Sequence, residues 1–328
     1  VSVGEVGEFG LIARVAALLK ADPPPAGPGD DAAVVATPDG RVVATTDVLV
    51  EGVHFRTEWS SGYDVGVKAA AANLADVAAM GASGTALLVA LVVSQDTPLA
   101  FVDALAEGLR DEAARAGAVV VGGDTAQGEQ VTVAVTALGD LGGREPVLRA
   151  GARAGDRVVL AGAVGRSAAG LRLLAEGGGS ADGLGGALVV AHLRPRPPYK
   201  AGPELARAGA TAMCDVSDGL LVDAGQLAAA SGVGIVLDRL PLPAGVSPVE
   251  ALTGGEDHAL LACLPPGALL PPGVVEVGTV VDRERRENHG TDRPGAGVTL
   301  SDRLRAAVPG PLPDGYRHFA RPVPANLV

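Results

Sequence analysis

Aromatic side chains make up only 2% of this 328-residue chain, so the large core that 48% hydrophobic residues permit must be built from Ala, Val and Leu. Positive charge is also short. The formal net charge is -12, the wrong sign for a surface that binds nucleic acid or anionic lipid through phosphates. A phosphorylated ligand stays open to an acidic protein if cations bridge the two. The two cysteines, Cys214 and Cys263, stand in apolar segments. They form neither a zinc spacing nor a disulfide framework, which fits a reducing cytoplasm. The longest strongly apolar run, residues 86–93, has eight residues, whereas a membrane span needs roughly 20. The opening "VSVGEVGEFG" lacks the basic and apolar regions of a secretory leader.

Several familiar chemistries are missing as well. No "GK" occurs, which removes a Walker A loop. No G-x-G-x-x-G stands between a strand and a helix, which removes a Rossmann dinucleotide site and a kinase Gly-rich loop. Ser217 lacks the G-x-S-x-G elbow of a hydrolase, and the five histidines do not cluster.

What is present is a loop-rich globular pattern, with 47 Gly and 24 Pro falling between periodic segments. Apolar spacing predicts helices at 8–20, 63–82, 99–117, 166–177, 202–210 and 219–232. Strands are expected at 32–37 and 41–47, joined as a hairpin across "PDG", and at 85–94, 118–124, 130–140, 155–162, 211–218, 234–238, 258–264 and 274–280. Residues 177–186, "GGGSADGLGG", read as a flexible loop and 283–294 as a polar surface loop. The mixture predicts an α+β fold of two α/β domains, residues 1–142 and 143–328.

The aspartates fall in a pattern against those elements. Asp30 and Asp31 precede a strand; Asp47 and Asp124 end expected strands, and Asp215 and Asp218 end another; Asp76 lies between Ala75 and Val77 in the Ala-rich helix. Singly, most read equally well as turn or helix-cap residues, Asp218 as the N-cap of the helix it precedes. Asp76 is different, because burying an unpaired carboxylate is costly. Together they could converge on one crevice, where cations would have to neutralise their repulsion. Oxygen-only donors suit Mg²⁺ or Ca²⁺, and Mg²⁺ is usually held by a few carboxylates and substrate phosphates. Gly122 and Gly123 would admit a phosphate to the backbone. The start of the helix at 166 could take an anion, though an ordinary connection explains it too.

The motifs "GEFGLIARV", "GPGDDAAVV", "TTDVLVEGVHF", "NLADVAAMGA", "VVVGGDT", "LRAGARAGD", "HLRPRPP", "DVSDGLLVD", "GGEDHAL" and "GYRHF" occur in one order from Gly7 to Phe319. In that order the chain resembles the thiamine-monophosphate kinase family, of the ATP-using superfamily that includes aminoimidazole ribonucleotide synthetase and selenophosphate synthetase. The latter's early reactive cysteine has no counterpart before Cys214. The resemblance implies ATP and thiamine monophosphate as substrates, thiamine diphosphate and ADP as products, several Mg²⁺ ions per site, and a homodimer whose N-terminal sheets share a barrel. The C-terminal domain would be an α/β sandwich. Carried over by motif, Asp31, Thr45, Thr46, Asp47, Asp76, Asp124, Asp215 and Asp218 correspond to metal ligands, and Asp47, Asp124 and Asp215 would be central to catalysis. Gly123, Asp124, Arg149 and Ser217 correspond to nucleotide contacts; His54, Glu256 and Tyr316 correspond to contacts with the thiamine phosphate. His258 departs from the pattern, which expects an aromatic such as Tyr after "GGED".

Overall fold

Two β-sheets, each with helices packed on it, organise the chain. The computed structural model describes residues 1–19, 35–177, 183–283, 297–308, 310 and 312. The first part runs α1 (Val3–Leu18), β1 (Val43–Val50), α2 (Gly62–Ala79), β2 (Ser83–Val93), α3 (Leu99–Ala116), β3 (Val119–Gln127) and β4 (Thr132–Asp140). Its sheet has the order β1-β4-β2-β3, antiparallel except for the β2–β3 pair. Burial alternates strictly along β4, the period-2 signature of a sheet with one face on a core. Val133, Val135 and Ala137 face the helices, and the opposite face leaves Val48 45% and Leu88 39% exposed.

α2 and α3 form because the local signals agree. Ser61 and Asp64 make a reciprocal capping box at the start of α2, and Gly117 in the left-handed region ends α3. The two helices meet backbone to backbone: a Cβ on Gly66 would overlap the Leu105 carbonyl oxygen, and one on Gly108 the Tyr63 carbonyl oxygen. α2 is buried nearly all round. One side lies on the first sheet, and Ala78 and Ala79 at its end join a core cluster of the second, which is why it is written in alanine.

The second part runs β5 (Arg157–Ala161), α4 (Arg166–Ala175), α5 (Gly183–Leu193), α6 (Ala201–Arg207), β6 (Ala212–Val216), α7 (Leu220–Ser231), β7 (Gly234–Leu237), α8 (Pro248–Thr253), β8 (Ala259–Leu264), β9 (Val274–Val281), β10 (Val298–Leu300) and α9 (Asp302–Ala306). Its sheet has the order β10-β7-β9-β5-β8-β6. Apolar clusters cover both faces, so β8 is buried at every position and reads as one continuous hydrophobic run. Among the described residues no helix is long and apolar enough to cross a membrane.

The structure corrects several local expectations. Thr45, Thr46 and Asp47 do not end a strand; β1 continues to Val50 because β4 pairs with it over its whole length. Asp124 likewise lies inside β3, which the parallel ladder with β2 carries on to Gln127. Of the strand expected before β1, residues 35–37 are outside any strand, and 32–34 lie outside the described residues. The helix after Asp218 is capped from within, by Asp223, whose carboxylate accepts from the backbone N–H of Asp218 and Gly219 at 3.0 Å each. Part of the expected Gly-rich loop, from Gly183, is the first turn of α5; 178–182 and most of the polar loop, 284–296, lie outside the described residues. Helices α5, α8 and α9 and strand β10 were not expected. α5 opens on Gly-rich sequence that predicts a loop, and the others have 3 to 6 residues, too short for a period to register.

Candidate active site

α2 carries Lys68, Ala72 and Asp76 at four-residue spacing, so all three share one face. That face lines a cavity of about 720 Å³ between the two parts of the chain. β1 and its following turn contribute Asp47, His54, Phe55 and Trp59; the second part contributes Arg149, Asp215, Ser217, Asp218 and Glu256.

At one end the carboxylates converge. Asp76 accepts a hydrogen bond from the Thr45 hydroxyl at 2.9 Å. Burial first, then the nearby Asp215 and Asp47, push its carboxyl up to about 7. Asn73, one turn earlier on α2, accepts from the Asp47 backbone N–H at 2.9 Å and so ties β1 to the helix. Asp215 faces His258, whose Nδ1 is 3.1 Å from Oδ2. Burial alone would lower the His258 pKa, but this hydrogen bond and the charge on Asp215 raise it. The position where the family pattern expects an aromatic therefore holds a buried imidazole hydrogen-bonded to one of the carboxylates. Asp223 behind them is pushed up to about 8 by burial and by Asp215 and Asp218.

At the other end, Glu256 sits in the left-handed region with φ 62°, and His258 follows at φ 52°. The loop is held by Glu256 N–H to the Ser217 carbonyl at 2.8 Å and His258 N–H to the Val216 carbonyl at 3.0 Å. It runs so close to β6 that a Cβ on Gly255 would overlap the Ser217 oxygen, which explains the second glycine of "GGED". Lys68 Nζ reaches Glu256 Oε2 at 3.0 Å and the His54 carbonyl at 2.9 Å. The His54 ring turns inward, with Nδ1 accepting from the Val50 N–H at 3.0 Å.

The cavity thus gathers Asp47, Asp76, Asp215, Asp218, Arg149, Ser217, His54 and Glu256, with Thr45 bonded to Asp76. Ser217 Oγ lies 3.5 Å from Asp215 Oδ1, and Arg149 bonds to Gln226. Three residues fall elsewhere within one chain. Thr46 points to the opposite face of β1, donating to the Val135 carbonyl at 3.0 Å. Gly123 and Asp124 are exposed on β3, at the far edge of the sheet. The demand for glycine at 123 is a sheet contact, since a Cβ there would overlap the Val89 carbonyl. Asp31 and Tyr316 lie outside the described residues. The start of α4 already holds an anion of its own: Asp257 accepts from the Ser167 N–H at 2.9 Å and from Gly165, and burial pushes its carboxyl up to about 6.

Sequence reasoning missed Lys68, Asn73 and His192, although a lone polar residue in an apolar helix, the signal that singled out Asp76, also marks Lys68 and Asn73. The donor set at the acidic end is all oxygen, and its mutual repulsion is what a bound hard cation would relieve. Among the described residues no three His, Cys, Asp or Glu stand close enough to cage a metal. A cation there would share its coordination with a phosphate, as Mg²⁺ commonly does.

Residues 29–141 match the N-terminal domain of AIR synthase related proteins, and residues 153–286 match their C-terminal domain. The chain is 45% identical over 299 residues to the thiamine-monophosphate kinase of Mycobacterium tuberculosis, covering 86% of this chain and 87% of that one. It superposes on the solved thiamine-monophosphate kinase from Stenotrophomonas maltophilia K279a with a TM-score of 0.75 at 32% identity, covering 90% of this chain and 96% of that one. On AaThiL complexed with AMPPCP and TMP the TM-score is 0.74, also at 32% identity, covering 96% of this chain and 98% of that one. Matched in both domains and along most of its length, the chain belongs to the thiamine-monophosphate kinase family of AIR synthase related proteins.

Proposed function

We propose that the chain transfers the γ-phosphoryl group of ATP to thiamine monophosphate, giving thiamine diphosphate and ADP. One observation carries this reading: carboxylates from both parts of the chain converge at one end of a cavity whose other end is walled by His54, Lys68 and Glu256. The solved relative that holds AMPPCP and TMP supports it.

The attacking atom is a phosphate oxygen of the acceptor. It forms the new P–O bond as the bond from the γ-phosphorus to the bridging oxygen of ADP breaks. That oxygen is already anionic near neutral pH, so no strong general base is needed. The barrier is charge: two phosphates must meet in line. Asp47, Asp76, Asp215 and Asp218 would hold Mg²⁺ by their carboxylates and Thr45 by its hydroxyl, with Asp31 expected beside them. Mg²⁺ supplies charge neutralisation and polarises the phosphoryl oxygens when bound. Arg149 offers a guanidinium to the nucleotide phosphates, and Ser217 a hydroxyl. His54 and Glu256, with Tyr316 as an expected third contact, would hold the thiamine end.

Asp124, Gly123 and Thr46 enter through a second copy of the chain. Asp47 and Asp124 lie on the two outer strands with β4 and β2 between them, about 14 Å apart at the usual strand spacing. They cannot share an ion within one chain. The sheet face with exposed Val48, Leu88 and Val119 is the surface such a dimer would cover. Buried free thiols at Cys214 and Cys263 are in keeping with a cytoplasmic location.

The deciding experiment supplies purified protein with Mg-ATP and thiamine monophosphate and measures thiamine diphosphate. The expected result is product dependent on both substrates and on Mg²⁺. No product, with aminoimidazole ribonucleotide formed from its own precursor instead, would overturn the reading in favour of the related synthetase.

A further inference from the structure

Lys68 is one of three lysines in the chain, and it is 3% exposed in the middle of α2. A buried ammonium needs partners, and its two come from different parts of the chain. The His54 carbonyl, 2.9 Å away, belongs to the turn after β1; Glu256 Oε2, 3.0 Å away, belongs to the loop between α8 and β8. Lys68 and Asp76 share one face of α2 two turns apart, about 12 Å along the axis. The helix therefore marks both ends of the cavity, carboxylates at one and an ammonium at the other.

Glu256 is unusually well fixed for a loop residue. Its backbone stands at φ 62° and its N–H bonds the Ser217 carbonyl. Oε2 is taken by Lys68, with His192 Nδ1 at 3.6 Å on the same oxygen. Oε1 makes no hydrogen bond among the described residues, and a third of the side chain stays open to the cavity. Burial would raise the Glu256 pKa; Lys68, then His192, outweigh it and hold the carboxyl below its ordinary value.

We propose that Lys68 is a positioning residue that sets acceptor specificity: by clasping the His54 carbonyl and Glu256 Oε2 it aims Glu256 Oε1, as a charged hydrogen-bond acceptor, at an N–H donor or cationic ring of the acceptor molecule. This rests on the phosphoryl-transfer reading of the cavity. It adds a cause for the acceptor site's rigidity, because removing the ammonium frees both walls at once.

The test is Lys68→Met, which keeps the length and apolar stem, with Glu256→Gln as a partner variant that breaks the same pair from a part-exposed position. The assay uses ATP and thiamine monophosphate with the full chain. Lys68→Met is expected to raise KM for thiamine monophosphate roughly ten- to a hundred-fold, the usual range for a charge-assisted hydrogen bond, while KM for ATP changes by less than about two-fold. The double variant should be little worse than either single one, because both break one interaction. An unchanged acceptor KM, or an equal rise in both KM values, overturns the proposal. Thermal melting of the same four proteins needs no substrate. There, additive losses for the two variants overturn the clasp, and non-additive losses support it. A wild-type protein that melts normally but forms no thiamine diphosphate would overturn the functional reading, while the melting cycle would still decide the clasp.

Discussion

The Thr45 hydroxyl donates to Asp76 Oδ2 at 2.9 Å, joining β1 to α2 where the carboxylates of both parts of the chain meet. This one hydrogen bond is set against burial and the charges of Asp215 and Asp47, and they prevail: Asp76 is pushed up to about 7. The site is electrostatically unfavourable for the protein alone, a repulsion that a bound cation would relieve. Asp76→Asn should therefore abolish turnover yet raise the melting temperature of the metal-free protein by about 1–2 °C, the shift that roughly 1 kcal/mol produces in a chain of this size. Calorimetry with and without Mg²⁺ checks it. A variant less stable than wild type without metal would show that Asp76 is structural.

Asp47→Asn and Asp124→Asn are each expected to abolish turnover while leaving the fold intact. Mixed and reassorted, the two dead proteins should recover about one quarter of wild-type activity, because half of the dimers are mixed and each carries one intact site. An inactive mixture would mean that the two aspartates serve the same site from one chain or that the dimer does not form, and sedimentation of the mixture tells these apart.

Helix packing gives a contrasting pair of glycines. Gly66→Ala would gain about 1 kcal/mol of helix propensity, but its Cβ overlaps the Leu105 carbonyl of α3. Overpacking against backbone costs about 1–3 kcal/mol or more, so the variant should be destabilised in urea unfolding. Gly185→Ala in α5 meets nothing nearer than Leu173 Cδ1 at 3.9 Å, so propensity alone should decide and the variant should be more stable.

His192 is 6% exposed and bonds the Ser167 hydroxyl at 3.0 Å. Burial first, then Lys68, lower its pKa to about 4, with Glu256 opposing. The unfolded chain takes up this proton near pH 6.5, the folded chain only near 4, so stability from this group is full above about 6.5 and falls as pH falls between those values. The loss would be about 3 kcal/mol at most. Melting temperature measured from pH 7 to 4 should fall less steeply in His192→Gln than in wild type. Parallel curves would remove His192 as the cause.

Much of this was legible in one dimension. α2, α3 and β4 carry their own periods, caps and stop signals, and Asp76 stood out because a carboxylate amid alanines needs a reason. The extents of β1 and β3 were not legible, because a strand's end is set by its partner: β4 holds β1 through Thr45–Asp47 to Val50, and β2 holds β3 past Asp124. α5 was hidden by the glycines of its own first turn.

The sequence by itself determined most of the elements, the acidic oxygen-rich chemistry and, through ten motifs in one order, the family. Only the tertiary structure decided which of those residues share a site. It put Asp47 and Asp76 opposite Asp215 and Asp218, because α2 packs on both sheets at once. It drew Lys68 to His54 and Glu256, because a buried ammonium seeks the nearest oxygens whatever their distance along the chain. It set Asp124 on the far edge of the sheet, because strand order follows hydrogen bonding across the sheet and not position in the chain.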